Sequence, residues 1–258
     1  MLLFSLETAE LLALIHDFSL SAIRVGATTG VANRALAKKN STIVGLFGSG
    51  NEARTNLEAI CAVQPIDKVL VYSPTKEHRD RFAEEMTESL NVEVQPVTSA
   101  RAVVKGADIV MCATNSSQAV FEGSWLEPGQ LVVTIANSDG VHRRTEADVT
   151  TMTRSDLIVL NNIETAVNNQ QRELLDLIDQ EKVSWDKVCE LGQARPGARR
   201  CSCRTKQRSG NHLLQEQHRG WHPVRRRRCA DLRSLQETGL RTRAAWGMVR
   251  RGSQRMDG

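Results

Sequence analysis

The sequence predicts an α/β protein with a doubly wound parallel sheet, followed by a basic segment of different composition. Short apolar runs alternate with amphipathic stretches from about residue 41 to residue 165, which is the order of strands and helices in such sheets. The first of these runs, Thr42–Phe47, is apolar almost throughout, as in a strand buried on both faces. A glycine-rich turn follows it directly, and a helical pattern begins inside that turn.

The other elements follow in order along the chain. Two apolar runs within residues 2–15 predict a hairpin, and Ser19 or Ser21 can cap a helix that runs to about Lys39. After the first buried strand, periodicity predicts a helix over 52–63, a strand over 68–72, a helix over 75–90, a strand over 92–97, a helix over 99–105 and a strand over 107–112. It further predicts strands over 131–135 and 157–160 and a helix over 172–180.

Composition changes near residue 193. Residues 1–193 carry 17 basic and 26 acidic side chains, whereas residues 194–258 carry 17 basic and 4 acidic ones, which together give the net charge of +4. The second segment has few apolar side chains that could form a core, a composition typical of disorder.

Several classes of protein are excluded on composition. The chain has no run of 18 apolar residues, so no membrane span is predicted. The N-terminus lacks the basic start of a signal peptide, and the six cysteines are too irregularly spaced for a disulfide framework. The cysteines and histidines also lack the spacing of a zinc site, so no metal is predicted. We therefore expect a cytoplasmic protein.

The turn after the first buried strand has the spacing of a phosphate-binding loop. It reads Gly48-Ser49-Gly50-Asn51-Glu52-Ala53, which fits the pattern G-x-G-x-x-A. In that pattern the first glycine permits a tight turn, the second lets a pyrophosphate approach the backbone, and the small third residue lets the helix pack closely on the strand. The helix N-terminus offers unpaired N–H groups to the anion. We predict that these residues bind a dinucleotide in a Rossmann-type domain; the alternative is a glycine turn that binds nothing.

The end of the second strand of this sheet carries no acid. Ser73 lies about 20 residues after Ala53, where an Asp or Glu would hold the adenosine ribose of NAD. The hydroxyls of Ser73 and Thr75, together with Lys76 or Arg79, could instead receive a 2′-phosphate. The predicted cofactor is therefore NAD or NADP, with a lean towards NADP. The alternative is that both cations belong to the solvated start of a helix.

Two loops with small polar side chains follow other strands of the sheet. Thr114 and Asn115 come after the strand over 107–112, and Asn137 comes after the strand over 131–135. Because ligands of doubly wound sheets lie at the carboxyl ends of the strands, we predict that these three residues contact the nicotinamide or its ribose. Ordinary turn chemistry is the alternative.

Arg24 could bind a substrate carboxylate through two hydrogen bonds, although taken alone it is better explained as a solvated surface arginine.

Taken together, these stretches resemble the ornithine cyclodeaminase/μ-crystallin family. The resemblance covers roughly residues 2–192 and is carried by Leu2–Phe4, Ala22–Arg24, Gly45–Arg54, Gly106–Val110 and Trp125–Gly129. It implies a homodimer that uses NAD(P) to deaminate, cyclise or reduce amino and imino acids. Ornithine cyclodeaminase, alanine dehydrogenase and cyclic ketimine reductase activities are known in this family.

The resemblance also implies roles for individual residues. Arg24 stands where the family's arginine binds the substrate carboxylate. The family's catalytic aspartate lies in the loop after the fifth strand of the sheet. Two ways of counting along that loop place Ser138 or Gly140 at this position, and Asp139, between them, is the acid that we predict to be catalytic.

On the same basis the chain divides into four parts. Residues 1–40 would be the remnant of a substrate and dimerisation domain, with its connecting helix, in a chain truncated at its N-terminus. Residues 41–165 would be the dinucleotide-binding Rossmann domain, 166–193 a return helix, and 194–258 an arginine-rich, disordered tail. A one-base change of reading frame shortly after Gly192 would explain the tail, because shifted codons for residues 211–228 can encode Lys-Asn-Asn-Thr-Gly, which resembles the family's C-terminal motif.

The sequence thus predicts an NAD(P)-dependent amino-acid or imino-acid oxidoreductase or cyclodeaminase, impaired by truncation. The alternative is a dinucleotide-binding protein without turnover, such as a crystallin-like protein. The run Arg225–Arg228 would by itself indicate a nucleic-acid binder. Because the change of frame also explains this run, the expected partner is a small amino or imino acid and not nucleic acid.

Overall fold

The computed structural model describes residues 1–136, 138 and 143–194. The predictions for the basic tail, including Arg225–Arg228 and the change of frame, lie outside the described residues. The strands are β1 Leu2–Phe4, β2 Leu11–Leu14, β3 Ile43–Phe47, β4 Lys68–Tyr72, β5 Glu93–Pro96, β6 Ile109–Cys112, β7 Leu131–Thr134, β8 Ile158–Leu160 and β9 Val188–Glu190. The α-helices are α1 Asp17–Leu36, α2 Asn51–Val63, α3 Lys76–Leu90, α4 Ala100–Val104, α5 Val149–Arg154, α6 Ile163–Asn168 and α7 Arg172–Asp179.

A five-stranded parallel sheet forms the centre of the described chain. Its strand order is β5-β4-β3-β6-β7. From β3 the chain winds outwards through β4 to β5, then returns to the other side of β3 and winds outwards through β6 to β7. The winding therefore reverses between β3 and β6, which is where ligands bind in folds of this kind. The prediction of a doubly wound, Rossmann-type α/β sheet is confirmed.

Two apolar clusters cover the two faces of this sheet. On one face Leu46 packs with residues of α2 and α3, among them Leu57 and Phe82. On the other face Phe47 packs with Val103 of α4 and with other apolar side chains. Because neighbouring residues of β3 point to opposite faces, both positions are apolar, and burial of each such side chain stabilises the fold by about 1.5–3 kcal/mol.

The N-terminal hairpin is present, with β1 antiparallel to β2. Helix α1 follows, but it begins at Asp17 and ends at Leu36, so the predicted start at a serine cap was wrong. Ser19 and Ser21 lie inside the first turns. The acidic side chain of Asp17 suits the positive end of the helix dipole, which favours the earlier start.

The last part of the described chain contains elements that the sequence did not predict. The predicted strand over 157–160 is present as β8, but it does not join the five-stranded sheet; it pairs in parallel with the unpredicted strand β9, about 30 residues further on. Helices α5 and α6 were also not predicted. Throughout the described ranges, none of the helices is both long enough and apolar enough to cross a membrane.

Candidate functional site

The loop between β3 and α2 lies at the point where the winding of the sheet reverses. Gly48 has a φ of +106°, a backbone conformation that favours glycine, and its N–H donates to the carbonyl of Tyr72 at 2.9 Å. A methyl group at position 48 would lie 2.2 Å from the carbonyl oxygen of Ala113. The close approach of this loop to the end of β6 therefore requires glycine.

The second glycine faces open space. Gly50 is the N-cap of α2, and no heavy atom lies within 4 Å of the place where its Cβ would be. The first N–H groups of an α-helix have no partner within the helix, so they are available to an anion next to Gly50. Asn51 is exposed, Ser49 and Glu52 are half-buried, and Ala53 is fully buried in the core. The geometry is that of a G-x-G-x-x-A loop, and binding of a pyrophosphate by residues 48–53 stays a prediction.

Arg54 ties this loop to α3. Its Nη1 donates to the carbonyl of Ser49 at 2.9 Å and to that of Gly50 at 3.2 Å. Its other terminal nitrogen forms a close ion pair with Glu85, and the guanidinium lies 5.1 Å from the ring centroid of Phe82. The hydrogen bond from Arg54 lowers the pKa of Glu85. Arg54 thus fixes the orientation of two successive carbonyls of the loop.

At the end of β4, Ser73 is buried and its carbonyl accepts a hydrogen bond from Nη1 of Arg79 at 3.0 Å. Thr75 is exposed and is the N-cap of α3. Lys76 is exposed and forms an ion pair with Asp80, and the hydrogen bond from this pair raises the pKa of Lys76. Of the two cations predicted here, Arg79 is therefore held at the strand end, whereas Lys76 pairs one turn along the helix.

At the end of β6, Thr114 meets a carboxylate that the sequence analysis did not single out. The backbone N–H and the hydroxyl of Thr114 donate to Oε1 of Glu146 at 2.6 and 2.7 Å. The N–H groups of Ile135 and Ala136, just after β7, both donate to Oε2 at 2.9 Å. Asn115 is exposed. Glu146 itself is only 1% exposed, so one buried carboxylate joins the ends of two neighbouring strands.

The remaining predicted site residues are not assembled with these groups in the described structure. Arg24 is exposed on α1, where its carbonyl accepts a hydrogen bond from the hydroxyl of Thr28 at 3.0 Å. Asp139 and Asn137 lie outside the described residues. Elsewhere in the described chain no group of three or more His, Cys, Asp or Glu side chains is placed to hold a metal ion.

The contact made by Arg54 could have been suspected from the sequence, whereas that of Glu146 could not. A cation in the first turn of a helix opposes the helix dipole, so Arg54 needed another reason to be there. Glu146 lies between two arginines and an aspartate, Arg143, Arg144 and Asp148, in a segment that reads as an ordinary charged loop. Its four donors come from two places elsewhere in the chain, which only the folded sheet brings together.

Comparison with known proteins places this arrangement in a family. The model of the ornithine cyclodeaminase/mu-crystallin family matches residues 1–204. The chain is 37% identical over 120 residues to the Δ1-pyrroline-2-carboxylate reductase of Bacillus cereus, which is 46% of this chain and 37% of that protein. It is 29% identical over 160 residues to the alanine dehydrogenase of Archaeoglobus fulgidus, which is 62% of this chain and 48% of that protein.

A solved structure shows the same relationship. The Δ1-pyrroline-2-carboxylate reductase of Thermococcus litoralis, in complex with NADH and L-proline, superposes with a TM-score of 0.70 at 30% sequence identity. The match covers 78% of this chain and 63% of that one. The chain thus spans less than two thirds of each of these three relatives.

Proposed function

We propose that the chain, which belongs to the ornithine cyclodeaminase/mu-crystallin family, is a nicotinamide-dinucleotide-dependent oxidoreductase or cyclodeaminase of amino and imino acids. The observation that carries the proposal is the loop at residues 48–53. It joins β3 to α2 beside the point where the sheet reverses its winding, and it combines a glycine required by close approach with a glycine that faces open space.

The described residues fit a dinucleotide. The space around the Cβ position of Gly50, the N-cap of α2, is open, so a pyrophosphate could approach the backbone and the first N–H groups of the helix there. The ends of β4 and β6 lie on either side of β3 and would receive the adenosine and nicotinamide ends. When bound, the nicotinamide ring supplies hydride transfer to or from the α-carbon of the substrate. The protein supplies the orientation of both molecules.

The adenosine end favours NADP over NAD in this proposal. Ser73 stands where an acid would hold the ribose of NAD, and an acid there would repel a 2′-phosphate. The guanidinium of Arg79 is already at the end of β4, bonded to the carbonyl of Ser73. Its remaining N–H groups could pair with a phosphate.

The substrate in this proposal is an α-amino or α-imino carboxylate. Arg24 would hold its carboxylate, and Asp139 would act as the catalytic acid. The names of the relatives narrow the choice of first compounds, because two of them are pyrroline-2-carboxylate reductases and the third is an alanine dehydrogenase. The pair of Δ1-pyrroline-2-carboxylate and L-proline is therefore the first substrate and product to test.

A homodimer is part of the proposal. Large apolar side chains of the N-terminal hairpin and the start of α1 are exposed, including Leu6 of the turn at 83%, Leu14 at 78% and Phe18 at 56%. An exposed apolar surface of this kind indicates an interface. We expect a second copy to cover it, and sedimentation velocity measures the state directly. A monomer at micromolar concentration would contradict this part of the proposal.

Titration followed by turnover on one sample tests the function. NADH and NADPH are added to protein shown to be folded by circular dichroism, and binding is followed by nucleotide fluorescence. Δ1-pyrroline-2-carboxylate is then added and loss of the reduced nucleotide is followed by absorbance. Binding with turnover supports the proposal. Binding without turnover of any amino or imino acid would assign the chain to the second candidate, a dinucleotide-binding protein, and no binding would overturn both.

A further inference from the structure

The carboxylate of Glu146 is buried at the ends of two strands and is fully hydrogen-bonded. Each oxygen accepts two hydrogen bonds, Oε1 from Thr114 and Oε2 from Ile135 and Ala136, at 2.6–2.9 Å. Three of the four donors are backbone N–H groups. Burial of a carboxylate is costly unless several donors compensate it, so these four bonds fix the position of both chain segments.

The two segments that Glu146 joins are the ends of β6 and β7. The strands are parallel neighbours, with Cys112 opposite Thr134 in the last pair of their register. Thr114 follows the first of these strands, and Ile135 and Ala136 follow the second. The carboxyl ends of the strands on this side of β3 form the half of the crevice that lies away from the adenosine end.

Ser138, which lies between β7 and Glu146 in the sequence, makes a second set of hydrogen bonds. The hydroxyl of Ser138 donates to the carbonyl of Arg144 at 2.9 Å and accepts from its N–H at 3.1 Å. The N–H of Ser138 donates to Glu173 of α7 at 3.2 Å. Ser138 and Glu146, which precede and follow residues 139–142 in the sequence, are therefore each held by several hydrogen bonds.

The hydrogen bond to Glu146 also determines whether the hydroxyl of Thr114 can donate to a ligand. Its proton is donated to Glu146, and its oxygen accepts from the N–H of Ser116 at 3.2 Å. The side chain is next to the phosphate loop, because its methyl carbon lies 3.5 Å from the place where a Cβ on Gly48 would be. With its proton committed, the hydroxyl oxygen can serve only as an acceptor towards a ligand.

We propose that Glu146 is a positioning residue for the nicotinamide side of the dinucleotide site. It holds the ends of β6 and β7 in register with each other, and the loop at residues 48–53 holds the pyrophosphate without it. The inference depends on the proposed function, since it assumes that a dinucleotide occupies this crevice. In this proposal Glu146 determines the geometry of the nicotinamide half of the site and not that of the pyrophosphate half.

The test compares NADH with ADP, which carries the adenosine and pyrophosphate groups but no nicotinamide. The variant is Glu146→Gln, in which the amide nitrogen must face at least one backbone N–H donor whichever way the side chain turns. We expect the dissociation constant for NADH to rise about tenfold or more and that for ADP to stay within about twofold of the wild type. Glu93→Gln is the matched control, because that carboxylate is exposed at the other edge of the sheet, where it pairs with Lys68 at 3.0 Å.

Each result decides between distinct explanations. Equal losses for NADH and ADP would show that Glu146 supports the fold in general, and no loss for either would show that it positions nothing; both results overturn the inference. If the wild type bound none of NADH, NADPH and ADP, the proposed function itself would fail.

A measurement on the wild type covers the case in which Glu146→Gln does not fold. Hydrogen exchange at the amides of Ile135 and Ala136 is followed with NADH and with ADP, each at saturation. Slower exchange with NADH alone supports the inference. The same slowing with ADP, or no change with NADH, contradicts it.

Discussion

Replacement of Gly50 by alanine separates binding from folding. The backbone at this position has φ −85° and ψ −169°, which alanine adopts freely, and the added methyl group would meet no heavy atom within 4 Å. The cost to the fold is the weaker N-cap, about 0.5–1 kcal/mol. The methyl group would, however, fill part of the open space at the N-terminus of α2, through which a pyrophosphate would approach the first N–H groups of the helix. If it displaces a pyrophosphate from one such group, the loss of one charged hydrogen bond is about 1.5–3 kcal/mol, or about a tenfold to hundredfold loss of affinity.

The assay is a fluorescence titration with NADH, made beside a thermal melt. Gly106→Ala is the matched control, because Gly106 precedes β6, at the amino ends of the strands and away from the loop, and also has open space around its Cβ position. Its φ of +73° makes alanine strained there by about 1–2 kcal/mol. We therefore expect Gly106→Ala to lower the melting temperature and leave NADH affinity unchanged. Gly50→Ala should change the melting temperature little and lower the affinity for NADH. Wild-type affinity for NADH in folded Gly50→Ala protein would refute the assignment of the loop.

Three further predictions concern packing, the loop and acid stability. Gly26→Ala should destabilise the protein by about 1–3 kcal/mol in a denaturant titration, although alanine favours helices, because its methyl group would lie 2.4 Å from the carbonyl oxygen of Thr55 where α1 crosses α2; unchanged stability would contradict the packing. Arg54→Gln should weaken ADP binding by about three- to tenfold in calorimetry, since the loop carbonyls lose their donor, and Glu85→Gln should have a smaller effect in the same direction; equal affinity in all three proteins would refute this role. Burial raises the pKa of Asp148, but hydrogen bonds from backbone amides and a threonine hydroxyl outweigh it, so the pKa lies below the ordinary value of 3.8. A group with a lowered pKa stabilises the fold at pH values above its ordinary pKa, and this stabilisation is lost as the pH falls through the lowered pKa. The melting temperatures of Asp148→Asn and wild type should therefore differ at neutral pH and converge below about pH 3.8. A difference in melting temperature that persisted in acid would contradict this role of Asp148.

The parts of the fold that depend on local pattern were predicted from the sequence. The strand, loop and helix over residues 43–63 are marked by an apolar run, two glycines at fixed spacing and an amphipathic stretch, all within about 20 residues. Two features that depend on contacts distant in sequence were not predicted. Strand β9 has three residues and is recognisable only beside β8, and Glu146 is recognisable only when the ends of β6 and β7 are already adjacent.

The start of α1 differs from the prediction because packing outweighs the N-cap there. Two serines near the expected start, Ser19 and Ser21, favour a later beginning when the sequence is considered alone. In the structure the helix starts at Asp17, directly after the hairpin, where the N-cap His16 makes no side-chain hydrogen bond. Packing of Gly26 and Gly30 against α2 fixes the helix along its length, so the cap contributes less than the tertiary contact.

The two contacts that hold the candidate site act on opposite sides of β3. Arg54 and Glu85 tie the phosphate loop to α3, on the side of β4, whereas Glu146 ties β6 to β7 on the other side. Among the described contacts, these two do not share a residue, and we therefore expect that each half of the crevice can be weakened without the other. A ligand that contacts both halves would then stabilise the fold more than one that contacts the pyrophosphate half alone, because stabilisation follows affinity at equal concentration and reaches about 2.7 kcal/mol at a hundred times the dissociation constant. If the halves are independent, Glu146→Gln should reduce the thermal shift given by NADH towards that given by ADP, and Arg54→Gln should reduce both shifts together.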